Sequence, residues 1–313
     1  MSNRPLRFGV TLLGASSKQE WIAKVKRVEE LGYTMLELPD HLGNQFFPPT
    51  LALMLAAEIS STLRLSTKVL DNNFRHPALL AKETATLDLL SGGRVEIGLG
   101  AGFLETEYRQ AGIPFDAPGV RVGRLEEAVH LLKGLFADGP VTFSGRYYTM
   151  NGLEGFPKPL QRPHPPILLA GGGKRMLSLA AREADIINLN PRVSPDGNSM
   201  DMQDASAGAT AQKIAWIREA AGERFTQIEL GTELLRVVRT DRGQQPEPVI
   251  ATGVGVQVAL DQLPQSVYML AGSVDQICEQ ALANREHFGI SHISVMEKDM
   301  EAFAPVVARL SGK

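Results

Sequence analysis

A carboxylic acid and an imidazole stand next to each other in the segment Leu38-Pro39-Asp40-His41, directly after an apolar stretch typical of a strand. Imidazole titrates near neutral pH and can exchange a proton with a substrate oxygen. If the strand belongs to a barrel, the segment lies on the rim where barrel enzymes place catalytic groups. We therefore predict His41 as a proton-exchanging residue. A solvated surface histidine is the alternative, and strand alternation does not decide which of the two side chains points inward.

Three consecutive glycines, Gly171-Gly172-Gly173, follow the apolar segment 167–170 and precede Lys174 and Arg175. A strand, a glycine turn and a helix N-terminus together present backbone N–H groups and the positive end of a helix dipole to an anion. The two cationic side chains add charge beside that position. The pattern favours a phosphate-binding turn over a plain connection in which the glycines serve only for turning.

Glycines also recur at alternate positions in Gly98-Leu99-Gly100-Ala101-Gly102, at the end of another apolar strand. Missing side chains allow a flat ring or a backbone segment to approach closely. The spacing is not a complete dinucleotide fingerprint, and tight packing of a turn or bulge explains it equally well. The histidines form no closely spaced ligand pair, so we expect no metal site.

Strand and helix patterns alternate along the chain, which predicts a parallel sheet. The strand segments are 6–12, 34–39, 63–70, 94–100, 167–170, 186–190, 228–238 and 292–296. About eight strands favour an α/β fold closed as a (β/α)8 TIM barrel, and we expect residues 1–313 to form one domain. Segments 102–166, 191–208 and 240–270 exceed a minimal barrel and are expected to be insertions after strands.

Charge and hydropathy exclude several classes of partner. The chain has 32 Lys and Arg against 35 Asp and Glu, a net charge of −3. It lacks the basic excess that nucleic acid or an anionic membrane surface attracts. The N-terminal segment lacks the pattern of a secretory signal, and no apolar run is long enough to cross a bilayer. We therefore expect a cytoplasmic protein that acts on a small molecule.

Taken together, these motifs resemble the luciferase-like monooxygenase superfamily, most closely its F420-dependent oxidoreductases. The similar segments are Asp40-His41-Leu42, Arg75-His76-Pro77, 90–95, 98–102 and 166–173, with a later likeness from Ala271 to Gly289. The resemblance implies a luciferase-like barrel with coenzyme F420 as its cofactor, or FMN as the alternative. It also implies a homodimer formed through helices 49–60 and 77–90.

The resemblance assigns the cofactor to the C-terminal mouth of the barrel and a role in proton transfer to His41. It places the ring near Asp40, Val69, Leu70 and Ala101 and the phosphate at Gly172, Gly173 and Lys174. The expected cofactor contacts also include the neighbouring residues Lys68, Asp71, Gly100, Gly102, Ala170 and Gly171. A bulge with a non-prolyl cis peptide is expected near Lys68, Val69 and Leu70.

Two departures from the family's sugar-phosphate dehydrogenases bear on the substrate. Their Trp after the histidine corresponds here to about Gln45, and their Glu after the glycines to about Phe103. Sugar-phosphate oxidation is therefore not expected. Phe46, Phe47 and Phe103 suggest instead an apolar region for a small organic substrate. The leading hypothesis is F420-dependent hydride transfer, with an FMN-dependent monooxygenase or a non-catalytic flavin-binding barrel as alternatives.

Overall fold

The computed structural model describes residues 4–43, 46–194, 199–242, 249–251, 256–258 and 266–313. Nine strands form one parallel sheet. It closes on itself because the strand at 64–67 pairs with the strand at 95–100, which confirms the predicted (β/α)8 barrel. Parts of the predicted insertions 191–208 and 240–270, and the position of Gln45, lie outside the described residues.

The strands are β1 Arg7–Thr11, β2 Met35–Leu38, β3 Arg64–Thr67, β4 Leu70–Asp71, β5 Val95–Gly100, β6 Pro140–Ser144, β7 Thr149–Glu154, β8 Ile167–Gly171, β9 Ile186–Leu189, β10 Glu229–Leu234, β11 Arg236–Arg239, β12 Val249–Ala251, β13 Val256–Val258, β14 Met269–Gly272 and β15 Ile290–Met296. The barrel order is β3-β2-β1-β15-β10-β9-β8-β5, with the short β4 continuing the third strand beside β5. The pairs β6–β7, β11–β14 and β12–β13 lie outside this sheet.

The α-helices are α1 Lys18–Glu30, α2 Pro49–Ile59, α3 Pro77–Leu90, α4 Glu105–Ala111, α5 Pro118–Phe136, α6 Lys174–Glu183, α7 Ala207–Ala221, α8 Val274–Phe288 and α9 Met300–Leu310. Local sequence explains several of their ends. Ser17 caps α1 by accepting a hydrogen bond from the backbone of Glu20, and Gly32 follows the helix with a positive φ. Pro49 and Pro77 occupy first turns, where their missing N–H costs nothing.

Alternate strand residues face the helices and the barrel interior. On β1, Phe8 packs against Phe303 of α9 with ring centroids 5.6 Å apart, while Arg7 points into the barrel. Arg7 lies 2.6 Å from Glu96 and 2.7 Å from Glu229, so paired charges close the N-terminal end. The helix-facing layer is therefore apolar, whereas the barrel interior is largely polar.

Segment 63–70 does not continue as one strand. β3 ends at Thr67, the Lys68–Val69 peptide is cis, and pairing resumes at Leu70. The bulge lies directly against β5, where a Cβ on Gly98 would collide with the backbone carbonyl of Thr67. Absence of a side chain on Gly98 therefore permits the close approach of two backbones.

Two other segments differ from their predicted form. Segment 228–238 is not one strand, because β10 ends at Leu234 and β11 leaves the barrel to pair with β14. The same apolar character suits both environments, so the pattern did not reveal the break. Helices α4, α7 and α9 were not predicted, and the predicted insertion 102–166 contains the antiparallel pair β6–β7.

Several leucines on neighbouring helices α2 and α3 are exposed rather than packed on the barrel. They are Leu51, Leu79, Leu89 and Leu90. The homodimer expected through these helices stays a prediction, as does the assignment of the chain to one domain. Among the helices of the described ranges, none has both the length and the apolar character needed to cross a bilayer.

The contact at Gly98 generates a stability prediction. Gly98→Ala should lower the free energy of unfolding by about 1–3 kcal/mol, because the added methyl group overlaps the backbone of Thr67. Gly208→Ala in α7 is the matched control, since a Cβ there meets nothing within 4 Å and alanine favours a helix. Urea unfolding measures both, and equal stability of the two variants would contradict the assigned contact.

Candidate active site

The predicted functional segments lie on one rim of the barrel. Every barrel pairing is parallel, so the C-terminal tips of all the strands reach the same end. Asp40 and His41 follow β2, and the glycine turn 171–173 ends β8. Three strand-to-strand steps of about 4.8 Å separate these tips, or roughly 14 Å along the rim. Closure of the barrel therefore brings together segments that are far apart in sequence.

His41 is paired with an acid from the insertion that follows β5. Its Nδ1 lies 3.0 Å from Oε2 of Glu107 in α4, and both side chains are largely shielded from solvent. The imidazole is flanked by Phe46 at 4.9 Å and by the edge of Phe103 at 6.0 Å, measured between ring centroids. Among the described residues, Nε2 has no hydrogen-bonding partner. A glutamate that accepts from Nδ1–H holds the ring so that Nε2 can exchange a proton.

Asp40 faces the bulge rather than solvent. Its Oδ2 accepts a hydrogen bond from the backbone N–H of Asp71 at 3.1 Å, and its carboxylate forms a two-pronged ion pair with Arg75. The buried charge of Asp40 is thus matched by a guanidinium. Arg75 belongs to a loop to which sequence alone assigned no role, and its function here is to hold the tip of β2 against β4.

Asp71 is the centre of a second hydrogen-bonded group. It accepts from the Tyr108 hydroxyl at 2.5 Å, from the Asn73 backbone at 2.8 Å and from the Asn73 amide at 3.0 Å. The Asn73 amide also donates to the carbonyl of Ala101 at 3.0 Å. Burial raises the pKa of Asp71, against the opposing effect of the bonds from Tyr108 and Asn73. Burial also raises the pKa of Tyr108, which therefore stays a donor.

The predicted contacts at the bulge divide between the barrel interior and the rim. The Lys68 ammonium lies 3.2 Å from Glu37 and 2.6 Å from the hydroxyl of Ser294, so it points into the barrel. Cofactor contact with Lys68 is therefore expected through its backbone alone. Val69 occupies the space beside Gly98 and Gly100, within 3.2 Å and 2.7 Å of where their Cβ atoms would be.

At Gly102 both the backbone conformation and the neighbouring side chains require glycine. Its φ is +78°, and a Cβ would collide with the Tyr108 hydroxyl and lie 2.5 Å from an Asp71 oxygen. All three alternating glycines thus make room for the protein's own backbone or side chains. The structure therefore supports packing as the reason for the three glycines. Ala101 lies beside them at the rim and is partly exposed.

The turn after β8 is shaped by two crowded glycines and one open glycine. A Cβ on Gly171 would strike Met176, and one on Gly172 would lie 2.5 Å from the carbonyl oxygen of Asn190. A Cβ on Gly173 would meet nothing within 4 Å. Gly173 is also the N-cap of α6 and has no side chain that could occupy the first N–H groups of the helix. This N-terminus can therefore accept an anion.

The cations beside this turn point in different directions. Lys174 extends outward to Glu219 at 3.5 Å, and both side chains are well exposed, so this pair contributes little to stability. The Arg175 guanidinium lies over Gly119 at the start of α5, 2.7 Å from where its Cβ would be. Ala170, before the turn, is partly exposed. Lys174 can contribute to the turn through its backbone N–H.

Several residues of the site were not found from the sequence. Glu107 and Tyr108 lie on the unpredicted helix α4, and Asn73 and Arg75 lie in the loop after β4. The available sequence signal was the two acids, Glu105 and Glu107, that follow the alternating glycines. Their spacing does not identify His41, 66 positions earlier, as the partner of Glu107. Phe47, which was grouped with Phe46 and Phe103, packs instead on Trp21 with ring centroids 5.5 Å apart.

The described residues fit a flat cofactor with an anionic tail. The open N-terminus of α6 at Gly173 suits a phosphate, and the partly exposed Val69 and Ala101 offer an apolar support for a ring. His41, with its Nε2 available, lies at the tip of β2 on the same rim. These features suit a flavin and a deazaflavin equally.

Comparisons with known proteins agree with this arrangement. Over 242 residues the chain is 33% identical to an F420-dependent glucose-6-phosphate dehydrogenase of Kineococcus radiotolerans, covering 74% of this chain and 68% of that protein. Over 175 residues it is 36% identical to an FMNH2-dependent dimethylsulfone monooxygenase of Pseudomonas putida, covering 56% of this chain. The match spans 44% of the Pseudomonas protein, less than half its length.

The fold is similar to that of the coenzyme F420-dependent tetrahydromethanopterin reductase of Methanopyrus kandleri. The TM-score is 0.75 at 18% identity, over 98% of this chain and 100% of the other. The family model described as luciferase-like monooxygenase matches residues 5–287, which include every segment of the candidate site. The chain therefore belongs to the luciferase-like monooxygenase family, whose members among its relatives use F420 or FMN.

Proposed function

We propose that this protein is an F420-dependent oxidoreductase that transfers a hydride between the deazaflavin and a small, apolar organic substrate. One observation carries the proposal: a carboxylate-oriented histidine, His41 with Glu107, lies on the same rim as the open turn at Gly173. The first pair can move a proton, and the turn can hold a phosphorylated tail.

The bound deazaflavin would supply the hydride exchange, and the protein supplies position and a proton. The N–H groups of Gly173 and Lys174 would hold the phosphate, while Val69 supports the ring. The side chain of Leu70 is buried in the core, so Leu70 would contribute through its backbone alone. Asp40 and Arg75 fix the bulge that carries Val69. Because these groups are packed and hydrogen-bonded before any ligand arrives, they are arranged to bind without rearrangement.

His41 would exchange the proton that accompanies the hydride. Glu107 accepts a hydrogen bond from Nδ1–H in this assignment, which leaves Nε2 as the atom that takes up or releases the proton. The aromatic rings of Phe46 and Phe103 flank the imidazole and limit its contact with water. Their apolar surface supports a substrate such as an aldehyde, an enone or a quinone-like acceptor.

An FMN-dependent monooxygenase is the second candidate function. It is favoured by the 36% identity to the FMNH2-dependent Pseudomonas relative, above the 33% identity to the F420-dependent Kineococcus protein. The barrel and the anion-accepting turn suit FMN as well. The two candidates differ in whether molecular oxygen is consumed during turnover.

A titration of the apo protein with F420 and with FMN tests the proposed function. We expect F420 to bind at micromolar levels or tighter and FMN to bind at least about tenfold more weakly, a difference of about 1.4 kcal/mol. An acceptor screen with the bound cofactor should then give turnover that does not depend on oxygen. Tighter binding of FMN together with oxygen-dependent turnover would establish the second candidate instead.

Substitution of His41 separates a catalytic barrel from a flavin-binding barrel without turnover. His41→Ala should lower kcat by about 10²–10⁴-fold, because the proton has no other equally placed acceptor, while cofactor affinity changes little. His287→Ala on the exposed face of α8 is the control. Steady-state kinetics and a binding titration measure the two effects. An unchanged rate in His41→Ala would reject the assignment of this residue.

The open position at Gly173 allows a matched pair of substitutions in the turn. Gly173→Ala should fold and bind as the natural protein does, since its backbone is extended and a Cβ has room. Gly173→Asp should retain stability, because aspartate is a good N-cap, but should weaken cofactor binding about tenfold or more by competing with the phosphate for the N–H groups. Fluorescence titration compares them, and equal affinities would place the phosphate elsewhere.

A further inference from the structure

The barrel interior just below the rim contains a connected set of polar groups that the proposed mechanism does not use. We define the interior cluster by its members: Thr11, Glu37, Lys68, Glu233, His292 and Ser294. Glu37 lies 3.2 Å from the Lys68 ammonium and 3.0 Å from Nε2 of His292. Ionisable groups inside a barrel are unusual, because bulky aliphatic side chains normally fill that space.

The interior cluster has two carboxylates and one ammonium group. Lys68 contacts Glu37 directly, whereas the hydrogen bond that Glu233 receives comes from the hydroxyl of Thr11. The same hydroxyl lies 3.4 Å from Glu37, so the two acids share one neutral donor. Because the Lys68 ammonium contacts Glu37, a negative charge on Glu233 would have no cation in direct contact with it within the cluster.

The titratable groups that act on Glu233 come from three other parts of the barrel wall: Glu37 on β2, Lys68 after β3 and His292 on β15. Burial raises the pKa of Glu233, and Glu37 adds to the rise against the opposing effects of Lys68, Thr11 and His292. By contrast, although burial acts against it, Lys68 and His292 hold the pKa of Glu37 well below its usual range. Glu37 is therefore the acid that ionises first, and Glu233 is the acid that keeps its proton to higher pH.

Glu233 is the cluster member that opens toward the rim. Thr11, Glu37, Lys68, His292 and Ser294 are buried, whereas Glu233 is partly exposed near the C-terminal end of β10. The expected cofactor contacts all follow β2, β3, β5 and β8, so the tips of β9, β10, β15 and β1 are left for the substrate. Glu233 lies in that second half of the rim.

We propose that Glu233 is a specificity-determining residue whose neutral carboxyl group donates a hydrogen bond to a carbonyl oxygen of the substrate. The inference rests on the proposed function and names its substrate class: organic carbonyl compounds, or the alcohols that they become. As hydride adds to the carbonyl carbon, negative charge grows on the oxygen, and the Glu233 O–H stabilises it. His41 remains the group that exchanges the proton.

Two substitutions at one position separate donation of a hydrogen bond from titration. Glu233→Gln retains an N–H donor but cannot lose a proton, whereas Glu233→Val has no donor. With reduced F420 and cyclohex-2-enone or benzaldehyde as acceptor, kcat/KM of the natural protein should fall as pH rises through the raised pKa of Glu233. That decline should be less steep in Glu233→Gln, where only the proton supplied by His41 can be lost, and the rate at neutral pH should be within about tenfold of the natural one.

Glu233→Val should lower kcat/KM about 10²-fold while F420 affinity is unchanged. Glu229→Gln is the control, because Glu229 lies on the same strand at the opposite end of the barrel and pairs with Arg7. It should retain the pH profile of the natural protein. An alkaline decline in Glu233→Gln as steep as that of the natural protein, or full activity of Glu233→Val, would overturn the proposal.

An infrared measurement keeps this inference separate from the proposed function, since it needs no turnover. Apo protein should show a protonated-carboxyl band at neutral pH that is absent in Glu233→Gln and present in Glu229→Gln. The band should shift to lower frequency when cyclohex-2-enone is added, as a new hydrogen bond forms. Absence of that band, or no response to the enone, would overturn the role of Glu233 whether or not the protein uses F420.

Discussion

The approach of the bulge after β3 to the tip of β5 is the constraint on which the rim depends. Gly98 and Gly100 have no side chains, so the backbone of Thr67 and the side chain of Val69 can lie against β5. A longer residue at either position would push the bulge outward. With the bulge in place, Lys68 turns into the barrel and Leu70 resumes pairing with Leu99.

Buried charges then hold the bulge from both sides. Toward the interior, Lys68 is matched by Glu37 and hydrogen-bonded to Ser294, while toward the rim Asp40 is matched by Arg75. A buried ion pair adds little net stability, because desolvation offsets attraction, but removal of one partner is costly. We infer that these pairs specify one arrangement of the rim rather than make the fold more stable.

Helix α4 joins the two halves of the catalytic arrangement. Its adjacent residues Glu107 and Tyr108 reach different targets, the first orienting His41 and the second donating to Asp71 beside the bulge. A displacement of α4 would therefore change the histidine and the expected cofactor support together. The helix is seven residues long and is followed by Gly112, whose φ of +70° suits glycine. Such a short insertion depends on these contacts for its position.

Local sequence determined the alternation of strands and helices, the cap of α1 at Ser17 and the glycine turn before α6. Each depends on neighbours within a few positions, through side-chain periodicity, capping or freedom at φ. The rim location of Asp40 and His41 followed as well, because parallel strands place their tips together. Those features could be predicted because their causes are near in sequence.

Tertiary structure alone decided which groups meet. The partners His41 and Glu107 are 66 positions apart, and Asp40 and Arg75 are 35 apart. Periodicity reports which face of an element is buried, but not the register in which the barrel closes or the loop that reaches a given tip. The inward turn of Lys68 and the end of β10 at Leu234 have the same origin, since both depend on neighbouring strands that the local pattern does not contain.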